Sequence, residues 1–337
     1  MHRFAFVEPA SLKQASELLV RGGSKARLLA GGVDLLGELK ERLATPETLV
    51  NLKSVQGLDT LRFEADGSLR VGALVTLSAV AGHERVRREF PAIAQAAWSV
   101  GSPEIRNVGT VGGNLCQRPR CWYFRSPLHR CLKKGGDVCF TIDGQSRYHA
   151  ILGGGPSFIV HPSDLAPALV ACEARVTVVG PGGRRELPLE QLYVLPSVRL
   201  DHETVLKPGE IVTEVLTPAG SATTSGTRSL FVKFKEKESM DFALASVAVS
   251  LKMRGGVCSE ARLVLGGVAP IPWRSKDGEK AIVGRALGAA AASKAADAAL
   301  ADAAPLEHNA YKIPLAKGLI RRALLELAGR GSDRVPA

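Results

Sequence analysis

One stretch constrains this chain more than any other: Gly101 to Cys139, GSPEIRNVGTVGGNLCQRPRCWYFRSPLHRCLKKGGDVC. Its first half, as far as Asn114, is a glycine-punctuated turn carrying Arg, Asn and Thr donors. Glycines let backbone amides approach an anion without a Cβ intervening. Its second half holds Cys116, Cys121, Cys131 and Cys139, four of the chain's six cysteines, spaced C-x4-C-x9-C-x7-C. Thiolates crowded beside such a loop predict a soft-metal or iron–sulfur centre next to an organic anion, and therefore electron transfer. Structural zinc sites usually show two tight cysteine pairs, and only the first pair here approaches that. The wider spacing suits a cubane cluster, with zinc and free thiols as the alternatives. Eight Arg or Lys against three Asp or Glu between Gly101 and His149 would offset a cluster's negative charge.

Bulk composition removes several function classes. The +11 formal charge raises the question of nucleic acid, but the charges are scattered and aromatics make up only 5%. A basic surface for acidic partner subunits or anionic cofactors is the expected use. No apolar run reaches the roughly 18 residues of a membrane span. Met1 to Val20 lacks an apolar core and is interrupted by Glu8, Lys13 and Glu17, so no signal peptide is expected. On its own sequence the chain reads as cytoplasmic, with the periplasm open if a partner carries it there. Six cysteines in 337 residues are too few for a disulfide scaffold. No H-E-x-x-H, G-x-S-x-G or paired-carboxylate pattern supports a hydrolase.

Taken in order, Ser11 with Gln14 forms a capping box opening a helix that stops at Gly22-Gly23. A strand Ala26–Ala30, the Gly31-Gly32 turn and a helix Val33–Leu43 make a generic phosphate-holding arrangement. It lacks the dinucleotide fingerprint and the Lys-Ser/Thr of a P-loop. A strand TLVNL and a hairpin turning at Asp66-Gly67 follow, then a helix Pro91–Val100. After the cysteines, YHAILGGGPSFIV predicts an apolar strand entering a helix capped by Ser163 or Asp164, with Pro167 in its first turns. A second hairpin turns at Pro181-Gly182-Gly183. The polar run between Thr217 and Gly226 is the best domain boundary. Beyond it come an alternating strand, a β pair turning at Gly255-Gly256, an alanine-rich helix Ala281–Ala304 and a helix Leu315–Ala328. Cys172 and Cys258 fall in apolar patterns and read as core.

Four segments, in order, resemble the FAD-binding medium subunits of molybdenum hydroxylases, the xanthine dehydrogenase, carbon monoxide dehydrogenase and aldehyde oxidoreductase group. They are LLAGGVDLL at Leu28–Leu36, IRNVGTVGGNL at Ile105–Leu115, HPSDLAPAL at His161–Leu169, and VKFKEKESMDFALASVAV followed by LGGVAPIPWR. The second is the most specific. The resemblance implies an α+β chain. A two-lobed, PCMH-type FAD-binding domain would cover 1–220, with a 4Fe–4S insert at about 116–149. A C-terminal α/β flavoprotein domain with an antiparallel sheet and helices would cover 221–337.

The resemblance also places roles. Ala30, Gly31, Gly32, Val33 and Asp34, flanked by Leu29 and Leu35, would wrap the FAD diphosphate with backbone amides. Thr110, Gly113 and Asn114 would hold phosphates and ribitol, with Arg106 and Gly112 in the same loop. Asp164 would meet a sugar hydroxyl or orient that loop, Lys233 would lie near the flavin ring, and Phe242 would flank its face.

The cysteine insert is absent from most of the family. It resembles that of the 4-hydroxybenzoyl-CoA reductase and periplasmic aldehyde oxidoreductase medium subunits, which carry a 4Fe–4S cluster there; QRPRCWYFR and RYHA are closer to the aldehyde type. Cys121, Cys131 and Cys139 match ligand positions. Tyr148 stands where the reductase type has its last cysteine, which leaves Cys116 or His149 as fourth ligand, with His149 preferred. The implied partners are a molybdopterin-bearing large subunit and a 2Fe–2S small subunit. With no NAD fingerprint present, the expected acceptor is a protein, a quinone-like molecule or oxygen. Two rival readings are a stand-alone FAD oxidase and a zinc-stabilised binding module with vestigial flavin loops. Covalent-flavin oxidases tether FAD through a His or Cys near the first loop, and residues 28–37 contain neither.

Overall fold

A computed structural model describes residues 1–329; the last residues of the expected second domain, 330–337, lie outside it. Three sheets organise the chain. The first is parallel, with β1 (Ala5–Val7), β2 (Ala26–Leu29) and β3 (Thr48–Asn51) in the order β1-β3-β2. The second is antiparallel and contains β4 (Leu61–Phe63), β5 (Leu69–Gly72), β6 (Arg175–Gly180), β7 (Gly183–Pro188) and β8 (Ile211–Thr217), in the order β4-β5-β8-β6-β7. The third, also antiparallel, runs β12-β11-β10-β9, from β9 (Thr227–Phe234), β10 (Ala245–Arg254), β11 (Val257–Gly266) and β12 (Trp273–Arg274).

Local signals account for much of this. Ser11 Oγ accepts from Gln14 N at 3.2 Å, while Gln14 Oε1 accepts from Ala10 N, and the helix Leu12–Gly22 begins there. Both expected hairpins form in antiparallel register. The β10–β11 turn has Gly255 and Gly256 at φ 57° and 78°, a conformation that disfavours any side chain. The largest core joins sheet two to the helices Pro91–Ser99 and Leu165–Ala171 and extends to Phe231, Ala248 and Val264 of sheet three. The other face of sheet three packs on the helices Ala289–Ala299 and Lys312–Gly329. Cys172 and Cys258 are fully buried in these cores, as expected.

Three expectations are corrected. The helix after Gly31-Gly32 is Leu35–Lys40, shorter than Val33–Leu43, because Arg42 at φ 57° ends it and Leu43 N turns back to Glu38 O. No strand forms over Tyr148–Val160. Its glycines break the run, and the amides of Ile151 and Leu152 both donate to Val268 O, leaving a buried, irregular connector. The alanine-rich segment is two helices, Lys276–Ile282 and Ala289–Ala299, interrupted at Gly284 (φ 79°) and Gly288.

Candidate flavin cleft and cysteine insert

A cleft of about 420 Å³ opens between the parallel sheet and sheet two. Both glycine loops line it. They pack backbone against backbone: a Cβ added to Gly31 would fall 2.1 Å from the carbonyl oxygen of Val108. The second loop is fixed from behind, since Val111 N donates to Val75 O and Gly112 N to Ala73 O. Thr110 Oγ1 accepts from Gly113 N at 3.2 Å, opening the short helix Val111–Leu115. Asn114 Oδ1 accepts from Ser163 Oγ at 2.6 Å, and Ser163 Oγ caps the next helix through Ala166 N. Asp164 occupies the N-cap position, but Ser163 supplies the capping side chain, which leaves the Asp164 carboxylate for another task. In the first loop the amides of Gly31, Gly32 and Val33 donate to no group among the described residues. Successive free amides in a turn form a nest for an anion.

Leu29 and Arg106 do not line this cleft. Leu29 packs with Leu35, Leu39 and Leu49. The Arg106 guanidinium donates to the carbonyls of Val100 and Gly101 and lies 4.6 Å from the centre of the Trp98 ring, so it braces the second loop. Lys233 is likewise behind the wall, its Nζ 2.6 Å from Asp164 Oδ2 and 3.1 Å from Ser99 O. Burial pushes the Asp164 carboxyl up, and Lys233 opposes that shift. Replacing Lys233 with Met removes one partner of a pair whose side chains are each 5% exposed. The expected loss is about 3–5 kcal/mol of stability, read as a lower denaturant midpoint. Adding Asp164→Asn should recover much of it, because the stranded carboxylate is then gone.

Phe242 stands at the cleft mouth, half exposed, with the Arg120 guanidinium 5.3 Å from its ring centre. Arg120 comes from the cysteine insert, as do Arg118 and Arg125, and all three reach Asp34. Asp34 Oδ1 accepts from Arg120 and from Arg125, each at 2.6 Å, and Asp34 Oδ2 accepts from Arg118 N at 2.7 Å. Asp34 thus lines the cleft and at the same time ties it to the insert through its carboxylate. Sequence reasoning missed these arginines as partners; their clustering was the only signal.

Within the insert, Cys121, Cys131 and Cys139 line one small cavity of about 10 Å³ with Tyr123, Phe124 and Phe140. Burial pushes the Cys121 thiol up to about 11, with Cys131 and Cys139 adding to the shift. Cys116 is not there. It lines the flavin cleft, and burial raises its thiol to about 12. His149 is buried, and its ring lies 6.4 Å from that of Tyr123, stacked at 30°. Neither of its ring nitrogens has a hydrogen-bond partner among the described residues. No group of three or more His, Cys, Asp or Glu side chains among the described residues is disposed to hold a metal ion.

His161 is a second buried imidazole, edge-on to Tyr193 with ring centres 4.6 Å apart. Burial lowers it to about 4, against a small opposing effect of Glu203. It is neutral in the folded chain, while the unfolded chain takes up a proton below its usual 6.5. Stability should therefore fall as pH drops from about 6.5 towards 4, by up to about 1.4 kcal/mol per pH unit. His161→Phe should flatten that part of a stability–pH profile.

Paired glycine loops, free amides and an apolar-walled cleft define a nucleotide-cofactor-binding protein of mixed helix and sheet. The family described as FAD binding domain in molybdopterin dehydrogenase matches residues 2–220, and that described as CO dehydrogenase flavoprotein C-terminal domain matches 229–327. The aldehyde oxidoreductase FAD-binding subunit PaoB of Escherichia coli K12 is 34% identical over 304 residues, covering 89% of this chain and 91% of its own. The carbon monoxide dehydrogenase medium chain of Hydrogenophaga pseudoflava is 29% identical, covering 96% of each. The solved CO dehydrogenase from Oligotropha carboxidovorans superposes with a TM-score of 0.77 at 28% identity, over 98% of this chain and all of that one. The chain belongs to the FAD-binding medium subunits of the molybdenum hydroxylases. No described helix is long and apolar enough to cross a membrane.

Proposed function

We propose that this chain is the electron-transfer subunit of an aldehyde oxidoreductase-type complex, holding FAD in the cleft and a 4Fe–4S cluster in the insert. The observation that carries this reading is adjacency. Arg118 and Arg120, on the cleft wall, and Lys133, on the wall of the cysteine cavity, all belong to the same insert. In the cleft, the Gly31–Val33 amides receive the diphosphate and the Thr110–Asn114 loop receives the phosphates and ribitol. Asp164 orients that loop while Lys233 holds it in place, and Phe242 covers the ring. FAD, when bound, supplies two-electron redox chemistry; the protein's part is to orient it and keep water from its face.

In the insert, Cys121, Cys131 and Cys139 with His149 are the ligand set. What supports the cluster is the convergence of three cysteines on one cavity, with a partnerless buried imidazole stacked on its Tyr123 wall. Residues 1–220 form the FAD-binding domain and 221–337 the flavoprotein C-terminal domain. A molybdopterin-bearing large subunit oxidises the substrate, a 2Fe–2S small subunit relays the electrons, and a protein, quinone-like molecule or oxygen receives them.

Anaerobic mixing with an aromatic aldehyde tests this. Flavin absorbance in the assembled complex should bleach, while the isolated chain should bleach only with dithionite. Bleaching of the isolated chain by aldehyde would show a stand-alone oxidase.

A further inference from the structure

The ion pairs around Asp34 do more than close a loop. Arg27 and Arg125 face Glu38, Arg120 and Arg125 face Asp34, and Arg118 and Lys133 face Glu203. Because Arg118 also donates its amide to Asp34, these pairs form one network. One end is in the flavin cleft, where Arg27, Asp34, Glu38, Arg118 and Arg120 are lining residues. The other end is Lys133, on the wall of the cysteine cavity. The carboxylates of Glu38 and Glu203 are 3% and 7% exposed, so water screens little of the charge. Within this network five cations face three carboxylates, and the cleft it borders carries free backbone amides. Asp34 lies in the first glycine loop, and its carboxylate is held by three residues of the insert.

We propose that Asp34 couples the two halves of the site, so that FAD affinity depends on the insert arginines and bound FAD in turn holds the insert against the cleft wall. Reciprocity follows from linkage: whatever free energy the docked insert lends to FAD, FAD lends to the docked insert. The proposal rests on the placement of FAD in the cleft and is independent of whether the insert carries a cluster.

The test is a double-mutant cycle on the full-length chain, read by FAD dissociation constants of flavin-stripped protein and by iron content measured separately. Asp34→Asn and Arg120→Ala should each weaken FAD at least about tenfold, and the double variant should be no more than about threefold weaker than the worse single one, because both break one link. Hydrogen exchange over residues 118–139 should slow on adding FAD to the parent chain and not to Asp34→Asn. Arg125→Lys, which keeps the charge but loses the planar fork, should give an intermediate loss and serves if Asp34→Asn does not fold. Affinities within twofold of the parent, or effects that add across the cycle, would overturn the coupling whatever the iron content shows.

Discussion

Gly31→Val should strip the chain of flavin while leaving the C-terminal sheet folded. The structure gives the reason in one distance. The new Cβ would meet Val108 O at 2.1 Å and Gly109 Cα at 3.2 Å, both backbone atoms that cannot rotate away. The two cofactor loops must then separate. Overpacking of this kind costs about 1–3 kcal/mol, which corresponds to roughly a 5- to 150-fold loss of affinity if borne by the bound geometry. Gly37→Ala is the matched control. It lies in the helix Leu35–Lys40, away from the cleft lining, and its Cβ meets nothing within 4 Å. It should keep full flavin and gain about 0.5–1 kcal/mol of helix stability. Flavin occupancy after desalting separates the two. Full occupancy in Gly31→Val would mean that the cofactor does not lie between these loops.

The second large effect concerns iron. Cys131→Ala should lose most of the iron and its low-temperature EPR signal, since Cys131 is the most buried of the three cysteines around the cavity. The discriminating pair is His149→Ala and Cys116→Ala. His149 has two partnerless ring nitrogens and stacks on the tyrosine that walls the cavity, whereas Cys116 opens on the flavin cleft. Iron should fall in the first variant and stay in the second. In the intact chain an imidazole in place of a thiolate should raise the cluster potential, as in Rieske centres. A normal signal in His149→Ala with a lost one in Cys116→Ala would move the fourth ligand back to the flavin loop.

The residues differ in how openly they announce these roles. Ser11, Gln14 and Gly23 bracket a helix because capping acts over three or four residues, and both hairpins follow from local turn chemistry. The glycine loops were legible for the same reason. The 148–160 segment reads as a strand in the sequence because an apolar run looks alike whether it pairs in a sheet or lies buried as irregular chain. Asp34 reads as a loop residue, yet its partners Arg118, Arg120 and Arg125 are 84 to 91 positions away, a separation that no local pattern encodes. Arg106 reads as a cofactor residue because it belongs to the second glycine loop. Its actual acceptors are the carbonyls at the preceding turn. Cys116, five positions before Cys121, reads as one of two candidates for the fourth ligand, and the structure places the two cysteines on different cavities.

We propose that a flavin and an iron–sulfur cluster sit side by side on one chain. Metal and flavin analysis of the anaerobically purified protein tests it most directly. About one FAD and about four iron atoms per chain, with negligible zinc, are expected; stoichiometric zinc, or a full complement of FAD on a chain without iron, would contradict it.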